Sequence, residues 1–128
     1  MIKLIHGECL EEMAKLPDNS IDMVMTDPPY GTTACKWDSI IPLDEMWKQL
    51  KRITKPNGAI VMTASQPFTT TLISSNMQMF KYCWVWNKNV QTGIALAKYQ
   101  PMRSHEDIVV FCDGTHTYNK QETEARHG

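Results

Sequence analysis

Between Met46 and His105 the chain has no aspartate or glutamate, although fourteen such residues occur among its 128. No apolar run reaches the roughly 18 to 20 residues of a membrane-spanning helix, which argues against one. No two cysteines form a C-x-x-C pair: Cys9, Cys35, Cys83 and Cys112 lie 26, 48 and 29 residues apart. That spacing suggests neither a zinc site nor a disulfide framework, and reduced thiols in a cytoplasmic protein are expected. His6, His105, His116 and His127 also lack metal-ligand spacing, so no metal is expected. The N-terminus does not read as an export signal, because Glu8, Glu11 and Glu12 follow Met1 to Ile5 too soon. Finally, there is no Gly-x-Gly: the glycines are Gly7, Gly31, Gly58, Gly93, Gly114 and Gly128. An unrelated nucleotide-binding domain built on a phosphate-cradling glycine loop is thereby disfavoured.

What is present is the composition of one globular domain, with 42% apolar and 21% charged residues. The net charge of −1 conceals an asymmetry. Residues 1–45 carry −6, residues 46–105 carry +8, and residues 106–128 carry −3. The bases from Lys48 to Lys55 read as the solvated face of a helix. From Lys81 to Arg103, where Trp84, Trp86 and Tyr99 interleave with the bases, a surface for phosphates and bases is an equal reading.

The chain reads as alternating strands and helices. Lys3 to His6 is a short apolar strand, and Leu10 to Leu16 is a helix stopped by Pro17. Ile21 to Thr26 has the length and composition of a buried parallel strand. A helix is expected from Leu43 to Ile53 with Met46, Leu50 and Ile53 inward, and Pro56-Asn57-Gly58 is a turn. Ala59 to Thr63 is a strand, Pro67 opens a helix to about Met79, and further strands cover Tyr82 to Trp86 and Asp107 to Phe111. One of Trp84 and Trp86 is expected in the core. Ser65-Gln66-Pro67 reads as an ordinary helix cap in preference to an anion site. Residues 113–128 form a polar tail. The alternation predicts an α/β domain, with a parallel sheet covered by helices and a site at the carboxyl ends of its strands.

That rule points to Asp27-Pro28-Pro29-Tyr30, directly after an apolar strand and before Gly31. The tetrapeptide should arise by chance in on the order of one in a thousand chains of this size. Its bland reading is a stiff turn. Its chemical reading starts from the exocyclic amine of a nucleobase, a poor nucleophile because its lone pair is conjugated with the ring. A carboxylate (Asp27) and a fixed backbone carbonyl (Pro28) can each accept a hydrogen bond from that amine and localise electron density on nitrogen. Consecutive prolines, Pro28 and Pro29, aim the carbonyl by fixing φ. Tyr30 would stack on a base taken out of the duplex.

With these residues the chain resembles the DNA amino-methyltransferases, in the group whose catalytic motif precedes the cofactor motif. The likeness extends from Ile5 through Asp22, over Trp37-Asp38, Leu50 to Gly58, Trp84 to Lys88, His105 to Phe111, and Tyr118-Asn119. It implies an S-adenosylmethionine-dependent methyltransferase (Rossmann-like) fold, incomplete here because the strands carrying the Phe-x-Gly-x-Gly cofactor loop are missing. It implies S-adenosylmethionine as cofactor, with Glu8 (where the family usually has aspartate) and Asp27 near it. It implies double-stranded DNA with a flipped adenine as partner, contacted by Tyr30, Trp37, Lys88 and Arg103. Asp27 points to adenine N6 over cytosine N4. The family's sheet places the cofactor strand between Lys3 to His6 and Ile21 to Thr26.

Two function classes follow. One is a site-specific DNA adenine-N6 methyltransferase by direct attack of the amine on the methyl group, with Cys35 given no nucleophilic role. The other is a catalytically inactive, truncated nucleic-acid-binding remnant, or one half of a split enzyme completed by a C-terminal half. On either reading, the 128 residues alone are expected to bind the cofactor poorly and to be inactive.

Overall fold

The computed structural model of the chain describes residues 1–31 and 40–124. Helix α1 spans Cys9–Ala14 and strand β1 Val24–Thr26; α2 spans Leu43–Ile53 and β2 Ile60–Ala64. Helix α3 spans Phe68–Ser75, and a long hairpin of β3, Phe80–Thr92, and β4, Arg103–Phe111, follows. Their order in the sheet is β1-β2-β4-β3.

The core forms where α2 meets β2 and β4. Apolar residues of α2 recur so that Met46, Trp47, Leu50 and Ile53 share one buried face. Asp44 and Glu45 in its first turn and Lys51 and Arg52 in its last complement the helix dipole. Strand β2 alternates, so Ile60, Met62 and Ala64 turn inward and are fully buried, whereas Val61 and Thr63 turn to the other face. In the antiparallel register Ile60 faces Phe111 and Met62 faces Val109, which completes the layer under α2. Trp47 closes it, packing edge-on to Phe111 with centroids 4.6 Å apart and donating from Nε1 to Ser75 Oγ at 2.8 Å. An indole buried this deeply needs that acceptor. It was not among the inward residues that helical spacing indicated.

Arg52 joins α1 to this core. Its guanidinium donates to the carbonyls of Met13 (2.8 Å) and Leu16 (2.7 Å) and to Asp18 Oδ1 (2.7 Å). It therefore satisfies carbonyls at and beyond the end of α1, and is not a solvated charge.

Several expectations need correction. Lys3 to His6 forms no strand: the segment is irregular and exposed, with Ile2 and Leu4 about nine-tenths exposed, because no described strand offers it a ladder. The strand expected over 21–26 is cut to Val24–Thr26, since Ile21 bridges Thr54 separately before the register with β2 resumes at Val24. Helix α3 stops at Ser75, not near Met79. Its run of Thr and Ser has weak helix preference, and Asn76 leaves the helical region at φ −155°. The sheet is mixed and not wholly parallel. Only β1 and β2 run parallel, while β4 inserts antiparallel between β2 and β3 because β3 and β4 form a hairpin. That hairpin also absorbs much of residues 87–104, a segment that sequence alone places between strands.

Candidate functional site

Strand β1 delivers the Asp27 loop to the carboxyl end of the parallel pair, where α/β sheets place their ligands. Pro28 is buried and Pro29 half-buried, which anchors the loop, while the Asp27 side chain remains exposed. Thr63 on the neighbouring strand β2 donates from Oγ1 to Asp27 Oδ1 at 2.5 Å. The Tyr30 hydroxyl lies close to both Thr63 and Asp27. Its ring lies against Phe68 at the start of α3, with centroids 5.3 Å apart and planes inclined by 18°.

The electrostatics follow from this packing. Burial pushes the Tyr30 phenol up to about 12, against a lowering by the Thr63 hydrogen bond and with further raising by the nearby Glu106 and Asp27 carboxylates. Tyr30 is thus a neutral hydrogen-bonding group at physiological pH. Glu106 is in turn 4.0 Å from Lys88 Nζ. Thr63 of β2, Glu106 of β4 and Lys88 of β3 lie on the sheet face opposite Met62 and Ala64, and Asp27 and Tyr30 meet them at the strand ends.

On the other side of the loop, a cavity of about 320 Å³ runs between α1, β1 and α2. It is lined by Cys9 and Met13 of α1, by Val24, Thr26 and Asp27 to Pro29, and by Met46, Leu50 and Met62. Its volume lies near the lower end of small-molecule sites, roughly 300 to 1,000 Å³. Burial, followed by the neighbouring Glu8, raises the Cys9 thiol, which disfavours its thiolate form beside the cavity.

The remaining residues singled out in the sequence divide as follows. Glu8 is the N-cap of α1, accepting from Leu10 N at 3.1 Å and Glu11 N at 2.8 Å; its neighbour Cys9, not Glu8 itself, lines the cavity beside Asp27. Arg103 donates to Ser65 Oγ at 3.3 Å, and Lys88 faces Glu106, so both bases sit at the site end of the β3–β4 hairpin. Trp37, Asp38 and Cys35 lie outside the described residues. Trp84 and Trp86 are both about half exposed, so neither enters the core: they project from an edge strand on the face that no helix among the described residues covers. The N-cap of α3 is Pro67, which gives no side-chain cap bond, and Gln66 just before it accepts from Thr70 N through Oε1 at 3.1 Å. Among the described residues no cluster of metal-ligating side chains occurs and no helix is long and apolar enough to cross a membrane. Sequence reading passed over Thr63, Phe68 and Glu106. None belongs to a spaced pattern, and Thr63 meets Asp27 only through the pairing of β1 with β2.

Comparison with known proteins fits this geometry. Residues 4–93 match the family described as RMKL-like, methyltransferase domain. The type II methyltransferase M.BglII of Bacillus subtilis is 37% identical over 65 residues, covering 45% of this chain and 18% of that protein. The type II methyltransferase M.HpaI of Haemophilus parainfluenzae is 26% identical over 122 residues, covering 85% of this chain and 38% of that protein. The chain thus spans less than two fifths of the length of either relative. Among solved structures, the M1.HpyAVI–SAM complex matches with a TM-score of 0.69 at 20% identity, over 98% of this chain and 62% of that one. The cytosine-N4-specific PvuII DNA methyltransferase matches with a TM-score of 0.63 at 16% identity, over 84% of this chain and 47% of that one. At these identities the structures establish the fold, an α/β methyltransferase fold represented in part. Because the family match covers well over half of its residues, the chain belongs to the RMKL-like methyltransferase domain family.

Proposed function

We propose that this chain carries the catalytic loop of an S-adenosylmethionine-dependent DNA methyltransferase acting on adenine N6. The observation that carries the reading is the Asp27 loop: its prolines anchored, its carboxylate held from β2, its tyrosine backed by Phe68. In this reading the target amine donates to the Asp27 carboxylate and to the Pro28 carbonyl. Both acceptors raise electron density on the nitrogen as it approaches the methyl group. Tyr30 holds the base by stacking, and the hairpin bases Lys88 and Arg103 meet phosphates. Adenine is preferred to cytosine because aspartate stands first in the loop, a family tendency; one structural neighbour is named as cytosine-N4-specific.

The residues present fit part of the cofactor. The cavity beside Asp27 is of suitable size and largely apolar, and Asp27, Pro28 and Cys9 would contact the ligand there. S-adenosylmethionine, when bound, supplies the methyl group on a sulfonium that the amine attacks. A glycine loop to approach it closely is not among these residues, since the sequence has no Gly-x-Gly. That same absence favours a second reading, a catalytically inactive remnant that binds DNA without turnover.

Transfer of labelled methyl from the cofactor to adenine-containing DNA tests both, with the chain alone and with an added polypeptide bearing the cofactor loop. Transfer only in the complemented mixture, abolished by Asp27→Ala, is expected. Transfer that survives Asp27→Ala removes the proposed mechanism, and DNA binding without transfer in either mixture selects the second reading.

A further inference from the structure

We propose that Thr63 is the positioning residue of this site, its hydroxyl fixing the Asp27 carboxylate in the orientation that receives the amine. The inference rests on the reading of Asp27 as the amine acceptor and adds to it the group that aims it. Asp27 has little of its own to hold it in place, since its side chain is exposed and follows the last residue of a three-residue strand. Such a carboxylate samples several staggered rotamers, and each misdirected one removes an acceptor from the amine. Thr63 supplies what Asp27 lacks. It lies in the middle strand pair of the sheet between Met62 and Ala64, both fully buried, so its backbone cannot drift. Its β-branched side chain is stiff at χ1, which holds the hydroxyl in one place.

The resulting bond, Thr63 Oγ1 to Asp27 Oδ1 at 2.5 Å, joins residues 36 apart in sequence. The Tyr30 hydroxyl lies close to the same two groups, so carboxylate, hydroxyl and phenol sit together as one polar network at the tip of the loop. The network explains why the position carries threonine: valine would fill the same volume without the donor, and serine would keep the donor without the stiffness. The bond is exposed, so its contribution to folding is small, and its effect falls on geometry.

Three-bond couplings across Cα–Cβ of Asp27, measured by NMR on the 128-residue chain, read that geometry directly. A single rotamer is expected in the unsubstituted chain and in Thr63→Ser, and averaged couplings in Thr63→Val with couplings elsewhere unchanged. Averaging in the unsubstituted chain, or one rotamer retained in Thr63→Val, overturns the proposal. The first of these outcomes applies even if Thr63→Val does not fold.

Where the complemented enzyme transfers methyl, Thr63→Val should lower kcat on the order of tenfold at unchanged KM for DNA, with Thr63→Ser restoring most of it. Asp27→Ala in the same assay separates the two claims. Full activity of Asp27→Ala, which has no acceptor, defeats the reading of Asp27, whereas loss there with normal kcat in Thr63→Val defeats only the role of Thr63.

Discussion

At the residue scale, Asp27 and Tyr30 stand out in the sequence because Asp-Pro-Pro-Tyr is rare, and the chemistry proposed for them follows from its residue types. Asp27→Ala in the complemented enzyme should lose roughly 10²-fold or more in kcat, as loss of a positioned transition-state partner does. Steady-state kinetics beside a DNA-binding titration check this, and binding should change far less. Tyr30 makes a subtler case. Stacking needs only its ring, so Tyr30→Ala should weaken binding to DNA with a mismatched adenine by ~1–3 kcal/mol, while Tyr30→Phe should leave that binding intact. The hydroxyl, however, lies beside the Asp27–Thr63 pair, so Tyr30→Phe should still lower kcat several-fold. Sequence could not show this, because the partner hydroxyl is on another strand. The phenol also fixes a pH dependence. Its folded value, about 12, lies above the ordinary 10.0, so the unfolded chain loses this proton first as pH rises. The stability associated with keeping Tyr30 protonated is therefore complete below pH 10 and lost as pH climbs toward 12. Denaturant titrations across that window should show the decline, and Tyr30→Phe should flatten it.

At the element scale, α2 runs from Leu43 to Ile53 as its apolar spacing indicates, because local pattern and tertiary burial agree there. Strands were less legible. Lys3 to His6 has the composition of a strand but no ladder, and β4 reaches its antiparallel place between β2 and β3 through pairings that no local pattern encodes. The charge pattern misled in the same way at Arg52, which reads as one of several solvated bases along α2. Its two carbonyl partners at the end of α1 and its bond to Asp18 make it the bolt between helices. Arg52→Ala should cost about 1–3 kcal/mol, the range for charge-assisted hydrogen bonds, read as a lower urea midpoint. Arg52→Lys should recover little, because an ammonium cannot span the same three acceptors as a planar fork. Lys48→Ala on the same helix, at an exposed position, serves as the control.

At the scale of the whole molecule, the described sheet leaves β1 paired on one edge only and leaves one face without helices. Met25 on β1 is 73% exposed, and Trp84 and Trp86 are about half exposed on the face shared with Thr63. An unpaired edge beside bare apolar side chains favours pairing with further polypeptide. The cavity next to that edge has walls of α1, β1 and α2 but receives no glycine turn from the sequence. Binding of S-adenosylmethionine needs both a closed pocket and a backbone that can approach the ligand closely, and these residues supply part of the first and none of the second. The 128-residue chain alone should therefore bind the cofactor too weakly for a calorimetric signal at micromolar concentration, and should sediment partly as associated species. A polypeptide bearing the glycine loop should reverse both observations together, because one added strand would occupy the β1 edge and wall the cavity. Micromolar cofactor binding by a monodisperse chain would falsify this account, since it would require a cofactor site built wholly from the residues on either side of Asp27.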